Sequence, residues 1–172
     1  MTYRKIFGLT LALWALWTTP GALGQDNVRI GELSNTDLQY MAQQRATLDD
    51  LATRNFGRPF NGDRDNDLAL LQALLDKRLV RPDQTRELQA MGVIMGDLLA
   101  ADLGLHWVIY EDRMGRSRAL RYKQSDEYLF PMTMISRRQE SDNHTPVTAI
   151  YQKAYDIMAA AAGRHGSRTE AR

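Results

Sequence analysis

Cysteine is absent from this sequence, and histidine is scarce, with three among 172 residues. The lack of cysteine excludes disulfides, thiolate nucleophiles, zinc knuckles and iron–sulfur clusters, so packing must stabilise the fold. The histidines have no spacing that completes a metal triad, and we expect no metal site. No Gly-x-Ser-x-Gly elbow, Ser-x-x-Lys motif, phosphate loop or dinucleotide fingerprint occurs, which argues against the common hydrolase and nucleotide-binding classes. We therefore expect no cofactor.

Long apolar runs are also missing, except at the start of the chain. Residues 1–24 contain two cations, an uncharged stretch over 6–17, and then a proline and small residues. This order predicts a secretory signal peptide that is cleaved before Gln25. The apolar stretch is too short to anchor the mature chain across a bilayer. We expect a periplasmic or secreted bacterial protein with no transmembrane anchor.

Neither sign of charge is in excess. The sequence has 22 Lys and Arg residues and 21 Asp and Glu residues. Without the two cations of the predicted signal peptide, the cations are one fewer than the acids. Global charge therefore gives no reason to expect a nucleic acid or a membrane surface as partner. We expect an N-terminal extension with one helix over residues 25–64, an α+β domain over 65–163, and a flexible tail over 164–172.

Apolar residues recur at helical spacing in four segments of the mature chain. Capping residues or first-turn prolines precede each segment, and glycine or proline follows most of them. The Asp65-Asn66-Asp67 run is expected to cap the second helix, and Pro82 to lie in the first turn of the third. The predicted helices cover about residues 34–54, 65–80, 82–104 and 145–163.

The period changes to two after Gly104, which predicts strands. Alternating and aromatic residues indicate a hairpin over 105–123, with Arg113-Met114-Gly115 as a type I turn plus bulge. A short strand is expected near 128–130, followed by a helical turn opened by Pro131. The predicted fold is α+β, with a small antiparallel sheet packed against the N-terminal helices and the C-terminal helix.

A three-residue hairpin loop also predicts which residues face each other across the two strands. It places Val108 opposite Leu120 and Trp107 opposite Arg121. The face with Val108 is the more apolar, so we expect it to pack on the third helix. Two glycines lie one turn apart in that helix, and close backbone approach explains them better than a ligand contact. Trp107 and Arg121 would then lie on the opposite face.

Several motifs occur in a fixed order along the second half of the chain. They are Met91-Gly92-Val93-Ile94-Met95-Gly96, Leu103-Gly104-Leu105-His106-Trp107, Glu111-Asp112, Gly115, Ala119-Leu120-Arg121-Tyr122, Leu129-Phe130-Pro131 and Met134-Ile135-Ser136-Arg137-Arg138. Together they resemble the bacterial domain-of-unknown-function family numbered 3806, over about residues 65–153. The resemblance implies one compact α+β domain and supplies no activity, cofactor or catalytic residue.

Three alternating aspartates, Asp63, Asp65 and Asp67, have the spacing of the first ligands of a calcium loop. The spacing then fails, because Leu68 and Leu74 occupy the positions of the required glycine and bidentate glutamate. We therefore interpret the three carboxylates as helix-capping and first-turn acids.

The remaining constellation is cationic and lies on the predicted hairpin. Its members are Arg113, Arg116, Arg118, Arg121 and Lys123, with Trp107 and Tyr110 on the partner strand and Arg137-Arg138 beyond. Such a ribbon is suited to a phosphate, an anionic glycan or an acidic partner chain. We take Trp107, Glu111, Arg118 and Arg121 as candidate binding residues. The alternative is a solvated hairpin face whose cations pair with nearby acids.

These observations favour a non-catalytic binding or interaction module whose partner is an envelope protein or an anionic polymer. The alternative function is a hydrolase that acts on a cell-envelope polymer. That hypothesis depends on Glu111, Asp112 and Trp107, which lie close together in the sequence, and on general acid and base work by carboxylates.

Overall fold

The computed structural model describes residues 28–170, which form five α-helices and one four-stranded antiparallel sheet. The α+β class is confirmed. The predicted signal peptide and its cleavage site lie outside the described residues. The elements are β1 (Arg29–Gly31), α1 (Asn35–Phe56), α2 (Arg64–Asp76), α3 (Thr85–Leu103), β2 (Leu105–Asp112), β3 (Gly115–Tyr122), β4 (Tyr128–Leu129), a 3-10 turn (Pro131–Thr133), α4 (Ser136–Glu140) and α5 (Val147–Glu170).

The sheet has the strand order β1-β2-β3-β4. Residues 25–64, expected to hold one helix, contribute α1 and also β1, which pairs with β2 from Arg29 opposite Glu111 to Gly31 opposite Ile109. Sequence analysis missed this strand because three residues are too few to show a period of two.

The turn between β2 and β3 is one residue shorter than predicted. Asp112 lies opposite Gly115, so Arg113 and Met114 alone form the turn. The Asp112 carboxylate accepts the backbone N–H of Met114 at 2.8 Å, which is a side-chain turn that closes the backbone locally. Gly115 has the expected positive φ, +128°, but it belongs to the strand.

The shorter turn shifts every cross-strand pair by one residue. Val108 lies opposite Ala119 instead of Leu120, and Trp107 lies opposite Leu120 instead of Arg121. A shift of one residue exchanges the faces of β3 relative to those of β2. The predicted register was therefore wrong, and so was the predicted assignment of faces.

The face of the sheet that packs on α3 is the one that carries Trp107. A Cβ added to Gly96 would lie 2.5 Å from the Trp107 ring, and one added to Gly92 would lie 2.5 Å from Met132 Cα and Pro131 O. Both glycines therefore allow close approach, as predicted, but they contact the indole and the 3-10 turn instead of the face with Val108.

Local signals set most helix ends. Ser34 and Asp37 form a reciprocal capping box at the start of α1, and Gly104 ends α3 in the left-handed conformation, as predicted. Asp63, and not the 65–67 run, caps α2 by accepting the N–H of Asn66 at 2.8 Å. The third helix also starts later than predicted, with Pro82 in the turn before it.

The hydrophobic core lies between α3, the sheet and the flanking helices. Its members include Leu71, Met91, Leu99, Leu120 and Ile150, each at most 1% exposed. The fifth helix continues to Glu170, beyond the residue where the sequence predicted its end. Within residues 28–170, no helix is both long and apolar enough to span a membrane.

Candidate functional site

A cavity of about 450 Å³ lies beside β3, where α1 and the 3-10 turn approach the sheet. Two of its walls, β3 and α4, carry arginine, and the other lining residues include aromatic and aliphatic side chains. We call it the arginine cavity, and its lining residues are Tyr40, Gln89, Arg116, Ser117, Arg118, Phe130, Met132, Thr133 and Arg137.

A buried carboxylate behind the cavity fixes two of these arginines. Asp37 is 1% exposed, and its Oδ1 accepts from Arg116 Nη1 at 2.9 Å while Oδ2 accepts from Arg116 Nη2 at 2.5 Å. Arg118 Nη2 lies 2.8 Å from Oδ1, and the Ser34 amide and hydroxyl donate to Oδ2. The Arg116 guanidinium holds the pKa of the Asp37 carboxyl well below its usual range, although burial opposes this. Asp37 is therefore ionised at neutral pH, and its carboxylate positions both arginines.

Arg118 is the most enclosed cation of the cavity. Its side chain is 20% exposed, and its guanidinium lies 4.3 Å from the centre of the Tyr40 ring, a cation–π contact. Its Nε is buried and has no hydrogen-bond partner within the described part of the chain. A buried donor without an acceptor costs about 1–3 kcal/mol, and an acceptor oxygen that reached this atom would remove that cost.

The third cation, Arg137, lies across the cavity on α4 and is exposed. Its side chain has no hydrogen bond or ion pair with any side chain or backbone group of residues 28–163. Arg116 and Arg118 share a single carboxylate, so two positive charges are left over when Arg137 is included. Glu111 lies opposite Arg116 across the strands and offsets part of that excess.

Trp107 lies on the same face of the sheet as Arg118, farther along the strands, and has a structural role. Its Nε1 donates to Asp97 Oδ1 at 3.0 Å, and the same carboxylate accepts from Arg45 Nε and Nη2 at 2.5 and 2.8 Å. The ring packs on Gly96. Trp107 thus anchors β2 to α3 and does not line the arginine cavity.

Arg121 and Glu111 are also separated from the cavity. Arg121 lies on the opposite face of β3 from Arg118 and donates from Nε to Ser125 O at 2.6 Å and from Nη2 to Gln124 O at 3.0 Å. It holds the connection to β4. Glu111 is exposed and lies between Arg29 and an arginine of β3. Of the four candidate binding residues, only Arg118 lines the cavity.

A second cavity, of about 320 Å³, is lined by Asp49, Asp67 and Asp97 among mainly apolar residues. Each carboxylate is already in use. Asp49 accepts the Phe60 N–H, Asp67 accepts the N–H of two loop residues, and Asp97 bonds the arginine and indole described above. Of the calcium-like run, Asp63 caps α2 and Asp67 closes the loop, while Asp65 is exposed beside Arg64. Among residues 28–163, whose side chains the structure describes, no three His, Asp or Glu residues are grouped to hold a metal ion.

Sequence reasoning missed Asp37 and Tyr40 as members of the site, and it did not choose Arg137 among the candidate binding residues. The Ser34-to-Asp37 spacing did predict a helix start, but nothing in it indicated that the carboxylate would contact Arg116, 79 residues away. Arg137 had been noted only as a cation beyond the hairpin. The proline after β4 was the available signal, because it predicts the turn that brings α4 back to β3.

Comparison with known proteins agrees with this description of the fold. Residues 67–151 match the model of a family described as a domain of unknown function, DUF3806. This segment is similar to the members of that family. The resemblance expected from the motifs is confirmed, and the match includes most of the arginine cavity but not Asp37 or Tyr40, which α1 contributes.

A crystal structure of a protein from Bacteroides thetaiotaomicron VPI-5482 has a similar fold, with a TM-score of 0.69 and 17% sequence identity. The similarity covers 78% of this chain and 50% of that protein, so the chain spans about half of its length. No curated protein matches the chain. The structural similarity supports the fold, and neither finding assigns an activity.

Proposed function

We propose that this protein is a non-catalytic binding module that holds an acidic group of a partner in the arginine cavity. The proposal depends on one observation: Arg118 and Arg137 each lack a partner for a donor or a charge. One has a buried donor with no acceptor, and the other is a cation with no partner in the described chain, and both line one cavity. An acidic group placed between them would satisfy both.

The chemistry of the cavity fits a carboxylate or a phosphate. Guanidinium groups present planar pairs of N–H donors that match the oxygens of both groups, and each charge-assisted hydrogen bond contributes about 1.5–3 kcal/mol. Asp37 holds two guanidinium groups in place before any ligand arrives, which reduces the entropy lost on binding. The aromatic rings of Tyr40 and Phe130 provide apolar surface for the rest of the partner.

The compartment is part of the proposal. The order of residues 1–24 supports export to the periplasm or beyond, and an envelope protein or an anionic polymer would be the partner there. Intact-mass measurement on protein from an osmotic-shock fraction is expected to show a chain that starts at or near Gln25. A full-length chain recovered from the cytoplasm would contradict export.

Binding is tested by titrating the purified protein with poly-L-glutamate and, separately, with inorganic phosphate, using calorimetry. We expect saturable binding of at least one probe. Replacing Arg118 or Arg137 by Gln removes one charged donor and is expected to weaken it by about tenfold or more. Arg58→Gln is the matched control, because Arg58 is exposed on the loop before α2 and does not line the cavity. Equal binding by all three variants, or no binding of either probe, would refute the proposal.

The hydrolase hypothesis has less support from the geometry. Glu111 and Asp112 are adjacent on β2 and therefore face opposite sides of the sheet. The Asp112 carboxylate accepts the Met114 N–H in the turn. Trp107 lies four residues before Glu111 on β2, about 13 Å away along the strand. No arrangement of these three residues in the described structure favours hydrolysis over binding.

A further inference from the structure

The outer edge of β3 has no strand partner along most of its length in the described chain. In the described chain, β4 pairs with β3 only at Leu120 and Arg121, so no strand covers Gly115–Ala119 on that side. Open strand edges present unpaired N–H and C=O groups to any extended segment that approaches them. The arginine cavity lies against this open stretch, because Arg116, Ser117 and Arg118 belong to its lining.

The register shows which backbone groups are free at this edge. A two-residue turn is closed by a hydrogen-bonded pair, here Asp112 and Gly115, and hydrogen-bonded pairs alternate along an antiparallel ladder. Ser117 therefore directs its N–H and C=O toward β2. The N–H and C=O groups of Arg116 and Arg118 point away from β2, toward the outer edge of the sheet. Leu120 has the same orientation, and it pairs with β4. Two residues at the open edge thus present both backbone groups and a guanidinium.

We propose that this edge accepts an extended segment of a partner protein as an added strand, with the pattern acidic–apolar–acidic. This inference rests on the proposed function and names the partner class. The acidic residues lie opposite Arg116 and Arg118, since directly opposed residues share a face of the sheet. The apolar residue lies opposite Ser117, on the face where Tyr110 packs edge-to-face on Phe130 at 5.3 Å.

Charge argues against a second copy of this chain as the added strand. Two β3 edges brought together would place Arg116 and Arg118 of one copy near the same arginines of the other. Like charges opposed across strands are destabilising, and edge arginines protect a sheet against self-pairing in this way. An acidic segment removes the repulsion and uses the excess positive charge of the cavity.

The test uses two libraries of eight-residue peptides whose flanking positions are varied. One library has Glu-Leu-Glu at its centre, and the other has Glu-Glu-Leu. The two centres have the same composition, but in the second one carboxylate points to the face of the sheet opposite the arginines. We expect the purified protein to retain the first library about tenfold better than the second. Alternate N-methylation of the backbone in the best peptide is expected to abolish its retention. On binding, amide exchange should slow at Arg116 and Arg118, while Ser117, already paired with β2, serves as the control.

The outcomes separate this inference from the proposed function. If N-methylated and unmodified peptides bind equally, or if both libraries are retained equally, strand addition is wrong, although the cavity still binds acidic groups. If phosphate or poly-L-glutamate binds and no peptide does, the partner is an anionic polymer and the inference is overturned. If Arg137→Gln leaves binding of every probe unchanged, the proposed function fails with it.

Discussion

The contact between α3 and the 3-10 turn predicts that Gly92→Ala destabilises the protein although alanine favours helices. Alanine in a helix interior gains about 1 kcal/mol over glycine. Against this, the new Cβ would lie 2.5 Å from Met132 Cα and from Pro131 O, where ordinary carbon contacts require about 3.5–4.0 Å. Both obstructing atoms are backbone, so α3 and the turn must separate by about 1 Å, and overpacking of this kind costs about 3 kcal/mol. We expect a net loss of about 2 kcal/mol in the free energy of unfolding.

Urea denaturation followed by the fluorescence of Trp107 measures this loss, since Trp107 is the single tryptophan beyond residue 24. Gly163→Ala in α5 is the matched control, because a Cβ added there meets nothing within 4 Å. The control should be unchanged or stabilised by up to about 1 kcal/mol. A Gly92→Ala protein as stable as the wild type would refute the close approach of helix and turn.

Two carboxylates give further predictions. Asp37→Asn should cost about 2 kcal/mol at pH 7, because it leaves two partly buried arginines without their anion. The folded-state pKa of Asp37 is depressed, so its stabilisation is complete above the unfolded pKa of about 3.9 and declines as pH falls toward the folded value. Urea titrations at pH 6 and pH 3 should therefore show that wild type and Asp37→Asn differ less in free energy of unfolding at pH 3. An equal difference at both pH values would contradict the role of Asp37 as the anion that holds the two arginines. Asp97→Asn should cost about 1 kcal/mol and shift the emission of Trp107, whose indole N–H it accepts; an unshifted spectrum would contradict the anchoring of β2 to α3.

Local signals predicted the elements well because the causes of those elements are local. The capping box at Ser34, the left-handed glycine at Gly104 and the proline that opens the 3-10 turn each act within a few residues. The close approach at Gly92 was also predicted, since glycine in a helix interior needs a compensating contact. The partner of that contact was not predicted, because it is set by how the chain returns after β4.

The register was wrong for an equally physical reason. The sequence Arg113-Met114-Gly115 favours a three-residue loop with a bulge, but the Asp112 side chain closes a two-residue turn instead. One residue of difference moved Trp107 to the packed face. A difference of one residue in the turn decides which residues of the two strands face each other.

The candidate site was only partly predictable. The charge pattern of the hairpin indicated Arg118 correctly as a member of a cationic cluster. It gave no information on Asp37, because the capping role of that residue explained it fully at the level of the sequence. Arg121 was grouped with Arg118 on charge alone, and the structure places it on the opposite face, bonded to the Gln124 and Ser125 carbonyls.

Arginine side-chain NMR shows whether an acidic group binds between Arg118 and Arg137. The Nε–Hε signals of arginine are observed separately from the backbone, so Arg118 reports on its own unpaired donor. On titration with poly-L-glutamate, the account predicts saturable shifts of the Arg118 and Arg137 signals with one common affinity, while the Arg58 signal stays in place. An Arg118 Nε–Hε signal that does not move at saturating probe, or that moves no more than that of Arg58, would contradict the account.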